Sequence, residues 1–480
     1  MTGTTIIRLC VVRAPVVALS AFLLGACAIG PDYREPPQVN TGSGWTQPEE
    51  TAQADIDLSN WWTSLGDPVL DRLVTTALSD NLELRHAQAR ILEARALRDR
   101  ATGAYAPSID VAGSVTRHRQ SENGPLPIGS IPGMDRDQTI YEAGFDAAWE
   151  IDLFGRTQRT VESAEATLQA VQADAINARI SVAAEVARSY LTLRGAQREL
   201  AAREASVETL KQTLNLVRKR FEAGDLAQAD VDTAQARLAV AETALPGIRA
   251  RARAAVLGLG VLLGAPPEEE LTLLDTAAQE IVLTNFPVGE RADVLRRRPD
   301  VHAAERHLAA SSADIGVVSA ELFPKLMIGA NGGFQSLSSS DLFSASSQTF
   351  AIAPLISWRV FDGGRVRAEI RASEARQQQA ALAYEQAVLS ALGDAERALS
   401  NYRLGLDAVQ RQHAAVEATR RSYAHAQMRF TEGDIALTDL LSEERLLRDV
   451  EDIYVRTYTA TAIDLIALYK ALGGGWDVRS

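Results

Sequence analysis

Apolar and polar residues alternate in four stretches of the chain. Ile109, Val111, Gly113 and Val115 fall on one side, with Asp110, Ser114 and Thr116 on the other. After a polar loop, Tyr141, Ala143, Phe145, Ala147, Trp149, Ile151 and Leu153 alternate with Glu142, Asp146, Glu150 and Asp152. The pattern returns as Leu326, Ile328, Ala330 and Phe334, and then as Phe350, Ile352, Pro354, Ile356, Trp358 and Val360. Period two places successive side chains on opposite faces, which predicts strands at 107–118, 140–153, 324–336 and 348–361. Each strand pair follows a helical stretch that ends at a proline, Pro107 in one case and Pro324 in the other. Proline has no amide to donate, and its ring clashes with the preceding turn.

Beyond each strand pair the pattern becomes helical and hardly breaks. Residues 156–223 contain only Gly195 and no proline, and residues 365–432 contain Gly393 and Gly405 and no proline. Helices of about 67 residues reach on the order of 100 Å, a length that serves reach rather than a compact core. Returning helices are expected at 227–264, interrupted near Pro246-Gly247, and at 436–472, where Leu440, Leu441, Leu447, Val450, Ile453 and Tyr454 recur at three and four. Between outgoing and returning helix lies a tip, Arg220-Phe221-Glu222-Ala223-Gly224-Asp225 in one case and Arg429-Phe430-Thr431-Glu432-Gly433-Asp434 in the other. Gly224 and Gly433 suit a left-handed residue closing a helix, and Asp225 and Asp434 help to start the next. Arg220 and Arg429 sit near a helix C-terminus, where the dipole favours cations.

Trp149, Gly155, Arg156 and Phe221 recur as Trp358, Gly364, Arg365 and Phe430 at one constant offset, so one architectural unit is duplicated in tandem. The organisation follows: 1–26 a signal peptide, 27–65 an N-terminal tether, 66–264 the first repeat, 265–292 a linker, 293–472 the second repeat and 473–480 a tail. The fold class is mainly α with a transmembrane β part. Strands with one apolar and one acidic or small face suit a membrane barrel with lipid outside and water inside, and Trp149 and Trp358 sit where an aromatic belt meets the membrane edge. A soluble half-buried hairpin shows the same alternation, but the run from Tyr141 to Leu153 is long for one. Four strands cannot close a barrel, since the smallest have about eight. The chain must therefore oligomerise, and three copies with twelve strands leave the aqueous lumen that acidic inner faces require.

The N-terminus places these elements. Arg8 and Arg13, the apolar run Val16 to Leu24 and the ending Leu24-Gly25-Ala26-Cys27 form a secretory signal. Its last residues resemble the bacterial lipoprotein signal, which implies a diacylglyceryl group on Cys27; Ala28 after it implies sorting to the outer membrane. Losing Arg8 and Arg13 takes the net charge from −13 to −15, and an acidic chain with no basic block argues against nucleic acid as a partner. Catalysis has little support. The six histidines are scattered, and no metal-binding or phosphate-binding motif is present, so no cofactor beyond the lipid is expected. The four methionines give no soft-metal path.

Trp61-Trp62, Leu65-Gly66-Asp67-Pro68, Gly30-Pro31-Asp32-Tyr33 after the lipobox, and the two Arg-Phe-x-x-Gly-Asp tips together resemble the outer membrane factor family, the TolC-like exit ducts of tripartite efflux pumps. The likeness is to the lipoprotein branch that works with resistance-nodulation-division transporters, and it covers essentially all of the mature chain. It implies a homotrimer with a twelve-stranded outer-membrane barrel, a periplasmic α-helical barrel and an equatorial belt. The implied partners are a periplasmic adaptor, docking at Arg220, Gly224, Asp225, Arg429, Gly433 and Asp434, and an inner-membrane transporter. It also implies a periplasmic gate. Asp439 falls on the family's acidic position inside the second tip, Asp230 is its counterpart in the first, and Ser442 with Glu443 stands where a second gate carboxylate belongs. A type I secretion duct and a structural envelope-bridging lipoprotein are the alternatives; the lipobox and tandem tryptophans tilt against the first, the four strands against the second.

Overall fold

A computed structural model of the chain describes residues 28–42, 44–46, 58–121, 135–276, 281–283 and 291–476. Helices α1 (Pro68–Asp80) and α2 (Leu82–Gly103) lead into β1 (Ser108–Arg119) and β2 (Asp137–Ile151). Then come α3 (Arg156–Glu222), α4 (Gln228–Glu242) and α5 (Leu245–Leu262). The second copy repeats the order with α6 (Arg291–Arg297), α7 (Pro299–Ser319), β3 (Lys325–Ser336), β4 (Gln348–Ser357), α8 (Arg365–Glu432) and α9 (Leu437–Ala471). The return over 227–264 is two helices, broken beside Pro246-Gly247 as the sequence pattern predicts, with Pro246 in the first turn of α5, where a missing amide is tolerated. Strand β4 stops short of 361 because its ladder with β3 ends at the Lys325–Ser357 pair, directly after Pro324; further on Asp362 turns the chain, its carboxylate accepting the amides of Gly364 and Val366, each at 2.8 Å.

The chain folds as two compact units, one of residues up to 37, 92–170 and 304–383, the other of 38–91, 171–303 and 384–480. The first holds a four-stranded antiparallel sheet in the order β1-β2-β3-β4, so that β2 and β3 join the two repeats directly. The register aligns the faces. Val111 opposes Phe145 and Phe145 opposes Gly332, while on the other face Asp110 opposes Asp146 and Asp146 opposes Asn331. Glu142 on that polar face accepts from Ser114 Oγ at 3.1 Å and from Gln335 Nε2 at 2.6 Å. Among the described residues β1 and β4 have no partner on their outer edges, and every residue of β4 is exposed, Phe350 to 84%.

Among the described residues the second unit has three apolar clusters, two of them large. In the first, Trp61 and Trp62 are almost fully buried, and Trp61 stacks on Tyr469 with ring centroids 4.8 Å apart. Asp67, itself buried, caps α1 by accepting the Val69 amide at 2.9 Å and takes the Tyr190 hydroxyl at 2.5 Å. The 27–65 tether therefore ends earlier than the sequence pattern predicts, because two indoles draw residues 61–65 into a 3-10 turn within this core. A second cluster near the tips gathers Val207, Leu210, Leu214, Val217, Phe430 and Leu440. Small residues allow close approach in this unit: a Cβ at Gly195 would meet Thr459, and one at Gly405 would meet Thr461. Among the described residues no helix is long and apolar enough to cross a membrane.

Candidate functional site

The tips are built by local hydrogen bonds. Gly224 and Gly433 take φ of 82° and 88°, the left-handed region that a glycine enters without a Cβ penalty. The amide of Asp225 returns to the Arg220 carbonyl at 2.8 Å, and that of Asp434 to the Arg429 carbonyl at 2.9 Å, so both turns close in the same way. Gly224, Asp225, Gly433 and Asp434 are all exposed, which leaves the two turn surfaces open to solvent.

The two arginines behave differently. Arg220 reaches out of its own tip and donates from Nη1 to the Phe430 carbonyl at 3.0 Å, with its guanidinium 5.1 Å from the Phe430 ring centroid. It thereby becomes the second donor to a carbonyl at the end of α8 that already accepts the Gly433 amide, and it ties the first tip to the second. Arg429 is exposed and makes no such bond among the described residues. Phe430 is 1% exposed and Phe221 39%, so the repeat's two aromatics also differ in environment.

Asp439 lies exposed in the first turn of α9. Asp230 accepts the Ala227 amide at 3.0 Å and so closes the start of its own helix. Ser442 bonds back to the Thr438 carbonyl at 2.7 Å, and Glu443 accepts from Ser422 on α8 at 2.9 Å. The carboxylate next to it has the more unusual setting. Glu444 is buried against Ser206 Oγ at 3.2 Å and Arg448 at 3.5 Å, and burial pushes its acid up from the usual range. With Tyr423, whose buried hydroxyl is raised by burial first and by the Glu444 charge second, it lines a groove between α3, α8 and α9. Two turns up, Arg203 pairs with Asp452 and Glu199 takes Arg251 at 2.5 Å and Arg456 at 3.2 Å. The buried carboxylates Glu199, Glu444 and Asp452 do not stand out in the sequence reading. Glu444 occupies the stripe of Leu440, Leu441 and Leu447, and a carboxylate in an apolar stripe is the signal that marks it.

Trp149 and Trp358 are 37% and 57% exposed. Each indole N–H donates at 3.0 Å to the carbonyl two residues before the helix-ending proline, Tyr105 for Trp149 and Leu322 for Trp358. The repeat thus pins its strand-end tryptophan to the helix–strand corner twice. Cys27 lies outside the described residues. Among the described residues no group of three or more His, Cys, Asp or Glu could hold a metal ion.

A family model described as "Outer membrane efflux protein" matches residues 73–265 and 291–474. The outer membrane protein OprJ of Pseudomonas aeruginosa is 30% identical over 475 residues, covering 97% of each chain. The toluene efflux pump outer membrane protein TtgC of Pseudomonas putida is 28% identical over 467 residues, 96% of this chain and 95% of that one. Among solved structures, the outer-membrane channel OprN has a TM-score of 0.86 at 34% identity, covering 94% of this chain and all (100%) of its own. The open state of the Neisseria gonorrhoeae MtrE outer membrane channel has a TM-score of 0.82 at 26% identity, covering 94% and 99%.

Proposed function

The chain belongs to the outer membrane efflux protein family, and from that premise we propose that it is a lipid-anchored, homotrimeric exit duct of a tripartite pump. The observation that carries this reading is the sheet with two open edges. An exposed edge of β1 and of β4 would leave a row of backbone amides and carbonyls unpaired in lipid, where each costs several kcal/mol. Pairing the β4 of one copy with the β1 of the next removes both edges, and three copies give twelve strands. The apolar face with Val111, Phe145 and Ile352 then meets lipid, and the face with Asp110, Glu142 and Asp146 lines water.

The duct is passive. A periplasmic adaptor docks at the exposed turns around Gly224-Asp225 and Gly433-Asp434, using Arg220 and Arg429 as flanking cations, and an inner-membrane transporter of the resistance-nodulation-division type supplies the energy. The cargo is small toxic or amphipathic molecules. TtgC, a relative by its printed name, belongs to a toluene efflux pump. Asp439, repeated by threefold symmetry, forms a carboxylate ring that attracts cations at the narrow end. Ser442, Glu443 and Asp230 stand near it as secondary polar positions, and Cys27 carries the lipid. Single-channel recording tests the reading: the trimer conducts with cation preference, and Asp439→Ala lowers that preference and the block by divalent or trivalent cations. Wild-type conductance with no cation preference, or unchanged block in the mutant, would count against it.

A further inference from the structure

The loop between β3 and β4, residues 337–347, is rich in serine, and its polar groups bond to one another. The hydroxyl of Ser347, a buried residue, donates to the Asp341 carbonyl at 2.8 Å, and the same carbonyl takes the Ser344 amide at 3.0 Å. Ser344 Oγ lies 2.8 Å from Ser346 Oγ and 3.2 Å from Ser347 Oγ, and the Ser347 amide closes a 3-10 turn on the Ser344 carbonyl at 3.1 Å. On the other limb the hydroxyls of Ser338 and Ser340 meet at 2.8 Å. Bonds this dense fix the shape of the loop, and the shape decides where its aromatic side chain points.

That side chain is Phe343, which is 73% exposed and yet held in place. Its ring meets Phe334 edge-on, with centroids 5.5 Å apart and planes at 70°. Phe334 is two residues from Gly332 and so shares its face of β3, and Gly332 stands opposite both Phe145 and Phe350. Phe343 therefore leans over the apolar face of the sheet and away from the face of Asp146 and Asn331. Pairing with neighbouring copies takes up the edges of the sheet and not its faces, so the assembly leaves this ring uncovered.

The height of the ring separates it from an incidental exposed side chain. Trp358 follows directly on Ser357, the partner of Lys325, and Phe334 lies nine residues beyond Lys325 along β3. At about 3.4 Å per residue this is roughly 30 Å of strand. A tilt of about 35–45° leaves roughly 22–25 Å along the barrel axis, against about 25 Å for the apolar band of an outer-membrane barrel.

We propose that Phe343, braced by Phe334, enters the lipid interface at the end of the barrel opposite Trp149 and Trp358, so that the β3–β4 loop is a membrane anchor. The proposal rests on the duct reading, in which this face of the sheet meets lipid. The partner is the boundary between acyl chains and headgroups, where the ring leaves water and the adjoining serines stay in it. Three copies set three such rings around the barrel, and together with the strand-end tryptophans they fix its depth from both borders.

Photocrosslinking of the full-length protein in phosphatidylcholine nanodiscs tests this. The probe is p-benzoylphenylalanine in place of Phe343, of Phe350 on the apolar face, or of Ser339, an exposed residue of the same loop. Each variant is read in the trimer fraction isolated by native mass. Irradiation should add the mass of one phospholipid at 343 and at 350, with a yield at 343 on the order of tenfold above that at 339. Crosslinking of 343 to a neighbouring chain instead, or a lipid yield at 343 no higher than at 339 while 350 is labelled, would overturn the proposal and leave the duct standing. Absence of lipid at 350 as well would overturn both, because the sheet's apolar face would then lie outside the membrane.

Discussion

Removing the Arg220 side chain should loosen the hold of one tip on the other. The guanidinium is half-buried, bonded to the Phe430 carbonyl at 3.0 Å and placed over the Phe430 ring. A hydrogen bond with one charged partner contributes about 1.5–3 kcal/mol, and a partly exposed cation–π contact about 0.5–1 kcal/mol. Allowing for overlap between the two, Arg220→Ala costs roughly 2–3 kcal/mol per chain. If the link exists only while the tips are together, that loss shifts the equilibrium toward separated tips by a factor on the order of 30 or more. Phe430 keeps its place in the apolar cluster with Val217 and Leu214, so the helices themselves should not unfold. Single-channel recording of the reconstituted trimer is the assay: the mutant should dwell longer in wider conductance levels, and Arg220→Lys, which offers a point charge but no planar face, should fall between. Wild-type conductance levels and dwell times in an intact Arg220→Ala trimer would refute the view that this bond restrains the tips.

Other perturbations probe other links. At Gly333 a Cβ would lie 2.4 Å from the Ala143 carbonyl oxygen, whereas at Gly113 the nearest atom is 3.6 Å away; Gly333→Ala should cost about 1–3 kcal/mol and lower the trimer's melting temperature, while Gly113→Ala should be nearly neutral. Glu444 has its acid raised by burial, so the folded state binds the proton more tightly than the unfolded one. Stability should therefore fall as pH rises from the ordinary glutamate range through the raised pKa, and thermal melts across that window should show a flatter profile for Glu444→Gln. Tyr190→Phe removes the hydroxyl that donates to the buried Asp67 carboxylate and should cost about 1–3 kcal/mol, read as a lower midpoint in chemical unfolding; no change would mean that water replaces the hydroxyl.

What sequence made legible was whatever repeats with a period. Alternation located all four strands to within a few residues, and the missing prolines located α3 and α8, because both signals come from the chain's own geometry. The glycine turns were readable for the same reason, since Gly224 and Gly433 carry a local requirement for positive φ. Contacts between distant segments were not. Nothing near Arg220 points to the Phe430 carbonyl, and nothing near Asp32 points to Arg159, because each pair is brought together only by packing. Asp230, the counterpart of Asp439 in the first tip, accepts the Ala227 amide at its own helix start, a local bond that comparing the two tips does not single out. Trp61 and Trp62 stand beside a Pro- and Gly-rich stretch and group with the tether by composition, although two adjacent indoles are hard to leave in water.

The duct requires edge strands of one chain to pair with those of its neighbours. Native mass spectrometry of the full-length protein released from detergent, with hydrogen exchange read at β1 and β4, measures this most directly. Three chains per particle, with both edges protected, is the predicted result; a single chain with a folded sheet and freely exchanging edges would contradict it.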